Sequence, residues 1–308
     1  AIGTDAEAFE ADSVAMGRSA KARGDSSIAL ARAAQANGTA SVAAGYEAKA
    51  NKIDSTAVGT YAIANGNTAT AIGAYANALG TSSTAVGRAA RANGNLATAM
   101  GDTSLASGLE SVAIGRYANA TDELASALGS QSTASAACSI AIGSQAEANK
   151  VNAFAAASNA SASGINAISI GVDSDGLAAN AAAIGTDTAA IGINSTAIGV
   201  RSTAGSANAV ALGVNANAID VNSIAVGVLA NAVGHNSTAI GVQANANGVN
   251  SIALGSNARA MGTNASAMGL NSLANGLNAQ AFGRDAVANG TDSYAGGVSA
   301  VACGTNAF

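Results

Sequence analysis

Ser111-Val112-Ala113-Ile114-Gly115 recurs, with small changes, every fourteen residues: Ser13-Val14-Ala15-Met16-Gly17 lies upstream and Ser251-Ile252-Ala253-Leu254-Gly255 downstream. With Ala1 as position one, 22 copies account for all 308 residues without an insertion or deletion. Position three is glycine in 20 of the 22 copies, with Ala31 and Ala157 as exceptions, and position one is alanine in 21, with Ser169 as the exception. So strict a period predicts a stack of like coils, each packed only on its neighbours, and it overrides the two-domain expectation from length alone. The expected organisation is a single array over 1–308 in two blocks. Residues 1–151 form a variable, charged block, and residues 152–308 carry an asparagine and valine ladder.

Alanine is a good helix former, yet a helix is excluded. A period of fourteen with fixed glycines leaves no room for a stable one, and position fourteen is Val, Ile or Thr in 15 of 22 copies. Two short extended segments per copy fit better. Positions thirteen to two form the first, and a glycine able to take positive φ follows it. Gly17, Gly59, Gly73, Gly115, Gly199 and Gly241 are such turn glycines. Positions five to nine form the second segment, as in Tyr117-Ala118-Asn119-Ala120-Thr121. Position ten is often glycine but fails in eight copies, including Glu10, Lys52, Lys150 and Asp220, which marks the looser turn.

Alternation then sorts the side chains by face. Position thirteen is always Ala or Ser, position one almost always Ala, and positions six and eight are small, as in Ala118 and Ala120. These line a thin lumen. Position two is a large apolar residue in 19 copies and points the other way: Met16, Ile72, Val86, Ile114, Leu128, Ile142, Ile170, Ile184, Ile198, Leu212, Val226, Ile240 and Leu254 belong to this row. A continuous apolar stripe of that extent exceeds the few hundred Å² that a soluble monomer exposes. Burying each large side chain returns roughly 1.5–3 kcal/mol, and the partner that matches copy by copy is another identical chain. Self-association is therefore expected to be part of the fold.

Composition narrows the function. Charged residues are 10% of the chain, the net charge is −5, and proline and tryptophan are absent. That balance argues against nucleic acid as partner. The period excludes collagen despite 37 glycines, and no apolar run approaches the roughly 18 residues of a membrane span. His235 is the single histidine, which leaves no zinc set or Ser-His-Asp relay, and it reads as an exposed loop residue. The position-thirteen serines read as lumen fillers, and no G-x-x-x-x-G-K-[ST] phosphate cradle occurs. No catalytic, metal or cofactor site is expected, and no small-molecule substrate. Cys138 and Cys303 are almost twelve copies apart, too far to pair within one chain. They read as incidental small residues or as a cross-link between chains.

Position twelve is asparagine from Asn152 through Asn278, then Asp292 and Asn306, and such amides stacked one coil apart are expected to form a hydrogen-bonded ladder. Over the same stretch position four is mostly Val or Leu, whereas in the first half it is often basic, as in Arg18, Arg32, Arg88 and Arg116. Asp12 with Arg18, and Glu110 with Arg116, sit at opposite ends of one strand. They read either as ion pairs between chains or as an ordinary solvated rim. Tyr46, Tyr61, Tyr75 and Tyr117, near several arginines, are either an adhesive patch or scattered surface residues.

Asn194-Ser195-Thr196-Ala197-Ile198-Gly199, Asn236-Ser237-Thr238-Ala239-Ile240-Gly241, Asn222-Ser223-Ile224-Ala225-Val226-Gly227 and Glu110-Ser111-Val112-Ala113-Ile114-Gly115 resemble the NSVAIG-type repeat of YadA-like heads in trimeric autotransporter adhesins. Ala244-Asn245-Ala246-Asn247-Gly248 is similar to the A-x-A-x-G that follows it there. The resemblance implies a left-handed parallel β-roll, homotrimeric, with the position-two row at the trimer interface. It also implies display on a Gram-negative cell surface, anchored in the outer membrane through stalk and anchor segments expected outside this stretch. Such heads bind extracellular matrix such as collagen, host cells, abiotic surfaces or each other. Three readings follow: an adhesin head or shaft, a spacer that holds another tip away from the cell, and ice binding, which the mixed side chains of the wet strand disfavour. Ala1 already lies within a copy and Phe308 closes one in phase, so the segment reads as part of a longer array.

Overall fold

The computed structural model describes residues 1–308, which form 43 short strands and no helix. The chain is an all-β parallel solenoid with two strands per fourteen-residue coil. It divides into two compact units, Ala1–Ser158 and Asn159–Phe308.

In the first unit, strands such as Val112–Ile114 stack directly on the next copy, with Val112 opposite Ser126, Ala113 opposite Ala127 and Ile114 opposite Leu128. The Val112 amide donates to the Ala125 carbonyl at 2.9 Å and the Gly115 amide to Met100 at 2.8 Å, so bonds run both up and down the stack. A second ladder of two-residue strands, such as Asn119–Ala120, stacks on Thr133–Ala134 in the same way. The second unit repeats this pattern: Thr196, Ala197 and Ile198 face Val210, Ala211 and Leu212, and Asn231–Ala232 pairs with Asn245–Ala246. An offset of one full repeat means that like residues stack on like throughout each unit.

The lumen is as small as the pattern requires. Ala113, Ala118, Ala120 and Ser111 are fully buried in one coil, and Ala197, Ala204, Ser195 and Ser202 in another. Ile114 and Ile198, by contrast, are 39% and 41% exposed. Many lumen serines also tie down a turn: Ser111 Oγ donates to the Gly108 carbonyl at 2.8 Å and Ser132 Oγ to Gly129 at 2.9 Å. Others, including Ser195 and Ser237, fill space without an acceptor. One coil departs from the scheme. Ser169 stands where alanine is usual, and its Oγ donates to the Ser174 carbonyl at 2.7 Å. In the same coil Gly176 replaces the position-eight alanine, and a Cβ there would lie 2.8 Å from the Ile168 carbonyl oxygen. The added hydroxyl is offset by a missing methyl.

The turns differ from the sequence reading. The second extended segment was expected over positions five to nine, yet only positions seven and eight form a strand, as in Asn119–Ala120. Position five instead lies in the turn with positive φ: Tyr117 has φ 58°. The Ala118 amide closes that turn on the Gly115 carbonyl at 3.2 Å. Position twelve does the same in the second turn, where Glu110 has φ 56° and the Ser111 amide bonds to Gly108 at 3.3 Å. Both are four-residue turns with the third residue left-handed, the place where a type II turn demands Gly or Asn. Asparagine at position twelve of the second unit therefore has a backbone reason, since short polar side chains tolerate this region best.

Position three is left-handed as well, and there a side chain collides besides. Gly115 has φ +132°, and a Cβ on it would sit 2.4 Å from the Gly129 carbonyl oxygen. Ala31 and Ala157 nevertheless hold φ 96° and 123°. Replacing Ala31 with Gly is expected to raise stability by roughly 1–3 kcal/mol, whereas Gly115→Ala is expected to lower it by at least as much; urea denaturation followed by circular dichroism checks both.

Candidate interaction surfaces

Since each lumen is filled by Ala and Ser, every large apolar side chain lies outside it. In the first unit Met16, Ile72, Ile114 and Ile142 are 47%, 41%, 39% and 41% exposed, with Val86 and Leu128 half-buried by their stacked neighbours. They stack in register, Ile72 on Val86 and Leu128 on Ile142. In the second unit the row runs Ile170, Ile184, Ile198, Leu212, Val226, Ile240 and Leu254, each directly above the last. Position fourteen stands beside it on the same face, with Ile224 exposed and Val210 and Ile252 half-buried. The first-strand face of either unit is thus a flat aliphatic panel.

The turn edges carry the polar chemistry. In the second unit an unbroken file of side-chain amides runs along position twelve. Asn166 donates to Asn180 at 3.0 Å, Asn208 to Asn222 at 3.0 Å, Asn222 to Asn236 at 2.9 Å and Asn264 to Asn278 at 3.0 Å. Every Nδ2 points toward the higher-numbered coil, so the amide dipoles add. The file ends on a carboxylate: Asn278 donates to Asp292 at 2.7 Å. Two shorter files at position five end the same way, Asn271 on Asp285 and Asn159 on Asp173, both at 2.9 Å. In the first unit a file at position nine, Asn37 to Asn51 to Asn65, begins on a cation, with Arg23 donating to Asn37 at 3.0 Å. Charge at each end matches the dipole, as ions do at helix ends. The position-nine file has little signal in the repeat consensus, because asparagine stands there in only eight of 22 copies and in an unbroken run of three only at Asn37, Asn51 and Asn65.

Tyrosines meet where the stack puts them on neighbouring coils. Tyr46 and Tyr61 pack edge to face with centroids 5.3 Å apart, Tyr61 and Tyr75 stack at 5.2 Å, and Arg32 lies over Tyr46 at 5.1 Å. Tyr117 is not part of this column; it pairs with Arg116 at 5.3 Å. The Tyr46 phenol is pushed from 10.0 up to about 12, first by its hydrogen bond to Glu47 and then by that to Tyr61. Asp175 is also raised, by burial and by the neighbouring Asp173 carboxylate.

The remaining candidates are dispersed. His235 is half-exposed, with Nδ1 3.8 Å from Asp220. Cys138 and Cys303 are free and exposed. No three His, Cys, Asp or Glu side chains converge on a common point. Asp12, Arg18, Glu110 and Arg116 are all exposed, and none joins an ion pair within the chain.

Comparison with known proteins adds one finding. The family model described as the YadA head domain repeat (two copies) matches residues 1–18, 10–30, 36–62, 64–91, 92–118, 120–146, 139–156, 177–202, 190–216, 204–230, 232–258, 260–286 and 281–307. No curated protein matches the chain.

Two measurements follow from these surfaces. Asn222→Gly keeps the left-handed turn and removes only the amide bonds, so it is expected to lose about 0.5–1.5 kcal/mol per bond. Asn222→Ala is expected to lose a further 1–2 kcal/mol or so for the left-handed alanine; urea midpoints of the two variants separate these effects. For Tyr46, the raised folded value favours the neutral phenol. The stability it lends is present below pH 10.0 and is lost as pH rises through about 12. Tyr46→Phe is expected to flatten the fall in unfolding free energy across that window and to remove the phenolate step near pH 12 from ultraviolet titration.

Proposed function

Because this chain belongs to the YadA head repeat family, we propose that it is the head or shaft of a cell-surface adhesin. In this reading it acts as a self-associated bundle, with three chains as the family suggests, and attaches to matrix protein such as collagen, to host cells, to surfaces or to other adhesin molecules. Anchoring in the outer membrane is assigned to segments outside this chain. An adhesin-like surface role and a non-enzymatic, structural fold follow from the family itself.

The observation that carries self-association is the aliphatic panel on the first strand of each coil. A lumen of Ala and Ser leaves Ile198 and Ile240 about two-fifths exposed and Leu212, Val226 and Leu254 half-buried in one ordered row. Covering such a row with an identical row is favourable at roughly 25 cal/mol per Å² of apolar surface. The row proposed as the interface is Met16, Ile72, Val86, Ile114, Leu128, Ile142, Ile170, Ile184, Ile198, Leu212, Val226, Ile240 and Leu254, with the turn glycines keeping the backbones stacked beneath it. Attachment then falls to surfaces outside that contact. The wet second strand and the stacked rings at position five, exposed Tyr75 on half-buried Tyr61, are the parts with binding chemistry to offer. A spacer role would use the same fold without that patch.

Sedimentation of the purified chain is expected to show an oligomer. Ile198→Asp together with Ile240→Asp is expected to dissociate it and to lower its melting temperature; a well-folded monomer of the parent chain would sink the reading. Solid-phase binding to collagen, fibronectin, laminin and polystyrene tests attachment. Binding to at least one, weakened by Tyr61→Ala with Tyr75→Ala, supports the adhesin, and no binding to any of the four supports the spacer.

A further inference from the structure

Five arginines occupy position four, the outer rim of the turn that follows the first strand: Arg18, Arg32, Arg88, Arg116 and Arg284. They divide into two groups. Arg88 is satisfied within the chain by Asp102 at 2.9 Å, and Arg284 by Asp285 at 3.4 Å. Arg18, Arg32 and Arg116 have no carboxylate partner within the chain. The far end of the same strand separates the groups. Strands Val14–Met16, Ile28–Leu30 and Val112–Ile114 end on the three arginines without a carboxylate partner, and they begin just after Asp12, Asp25 and Glu110. Strands Thr84–Val86 and Gln280–Phe282 precede the two satisfied arginines, and they begin after Thr81-Ser82 and Leu277-Asn278, with no acid. Asp12, Asp25 and Glu110 are likewise exposed and without an ion pair in the chain.

Acid and arginine on one coil lie on the order of 15 Å apart along an extended backbone, so neither can reach the other in its own chain. Two parallel chains packed through their first-strand faces around an axis along the stack bring the arginine rim of one against the acidic rim of the next. We infer that Arg18, Arg32 and Arg116 pair with Asp12, Asp25 and Glu110 of a second copy of this chain, each at the same coil level, and so hold neighbouring chains in register with no axial offset. An aliphatic panel that repeats every coil favours a one-coil slip almost as well as the correct match. Charges at only three coils do not. This inference rests on the self-association proposed above and adds the device that selects one alignment.

The test is a set of charge swaps in the full chain, read as the urea concentration at which the assembly dissociates in low salt, with light scattering for size and circular dichroism for fold. Arg18→Glu is expected to weaken association on the order of tenfold, by placing like charges together, and added salt is expected to shrink the difference. Combining it with Asp12→Arg is expected to restore the parent midpoint, whereas combining it with Glu110→Arg is not. An assembly indifferent to Arg18→Glu overturns the inference, as does rescue by Asp25→Arg in place of Asp12→Arg, which would mean a one-coil offset. A parent chain that is monomeric removes the self-association reading first, and this inference with it.

Discussion

The structure depends on a lumen just wide enough for the methyl and hydroxymethyl groups of Ala and Ser. Four such side chains per coil, as in Ser111, Ala113, Ala118 and Ala120, hold the two strands close enough for the turns to close on themselves. Nothing larger than Thr188 fits, and that hydroxyl bonds to the Gly199 carbonyl. With so little apolar volume inside, the solenoid puts its bulk on the outside. The aliphatic face of each unit is a consequence of the narrow core, and the proposed self-association is a consequence of that face.

In-register stacking adds a second consequence. Since each coil repeats the last with no offset in side-chain position, any residue shared by consecutive copies becomes a column. Asparagine gives a directional file of amides that ends on Asp292. Tyrosine gives the Tyr61–Tyr75 stack, and threonine the file Thr56, Thr70, Thr84 and Thr98. Columns of like charge are the unfavourable case. In places the chain alternates sign, as where Lys21 lies 3.4 Å from Glu7 and Arg88 faces Asp102, while Arg18 beside Arg32 and Asp173 beside Asp187 stack like on like. Arg18, Arg32 and Arg116 form no ion pair within the chain and have an acid across their own strand, which is why the rims read as complementary halves of one contact.

What was legible beforehand was whatever the period expresses in every copy. The parallel strands, the buried positions thirteen, one, six and eight, and the outward row at position two all follow from alternation between two glycine-marked bends. Ile114 and Ile198 outside, with Ala113 and Ala197 inside, match that reading. The turns carry less local signal, because glycine marks position three while the left-handed residues two places on are of mixed type. Tyr117 and Glu110 hold left-handed φ without being glycine, and only the asparagines of the second unit hinted at it. The tyrosine column was half legible: three of the four rings come together, while Tyr117 sits copies away beside Arg116.

Sequence by itself determined the period, the strand faces and the small-residue lumen, since a fourteen-residue repeat of alternating small and large side chains has one economical way to close. Tertiary structure alone decided where each turn bends left-handed, which amides link into files and on which ions those files end. It also decided which arginines are already satisfied within the chain. The amide files depend on distances between residues fourteen apart, a separation at which local pattern carries no information about whether two side chains touch.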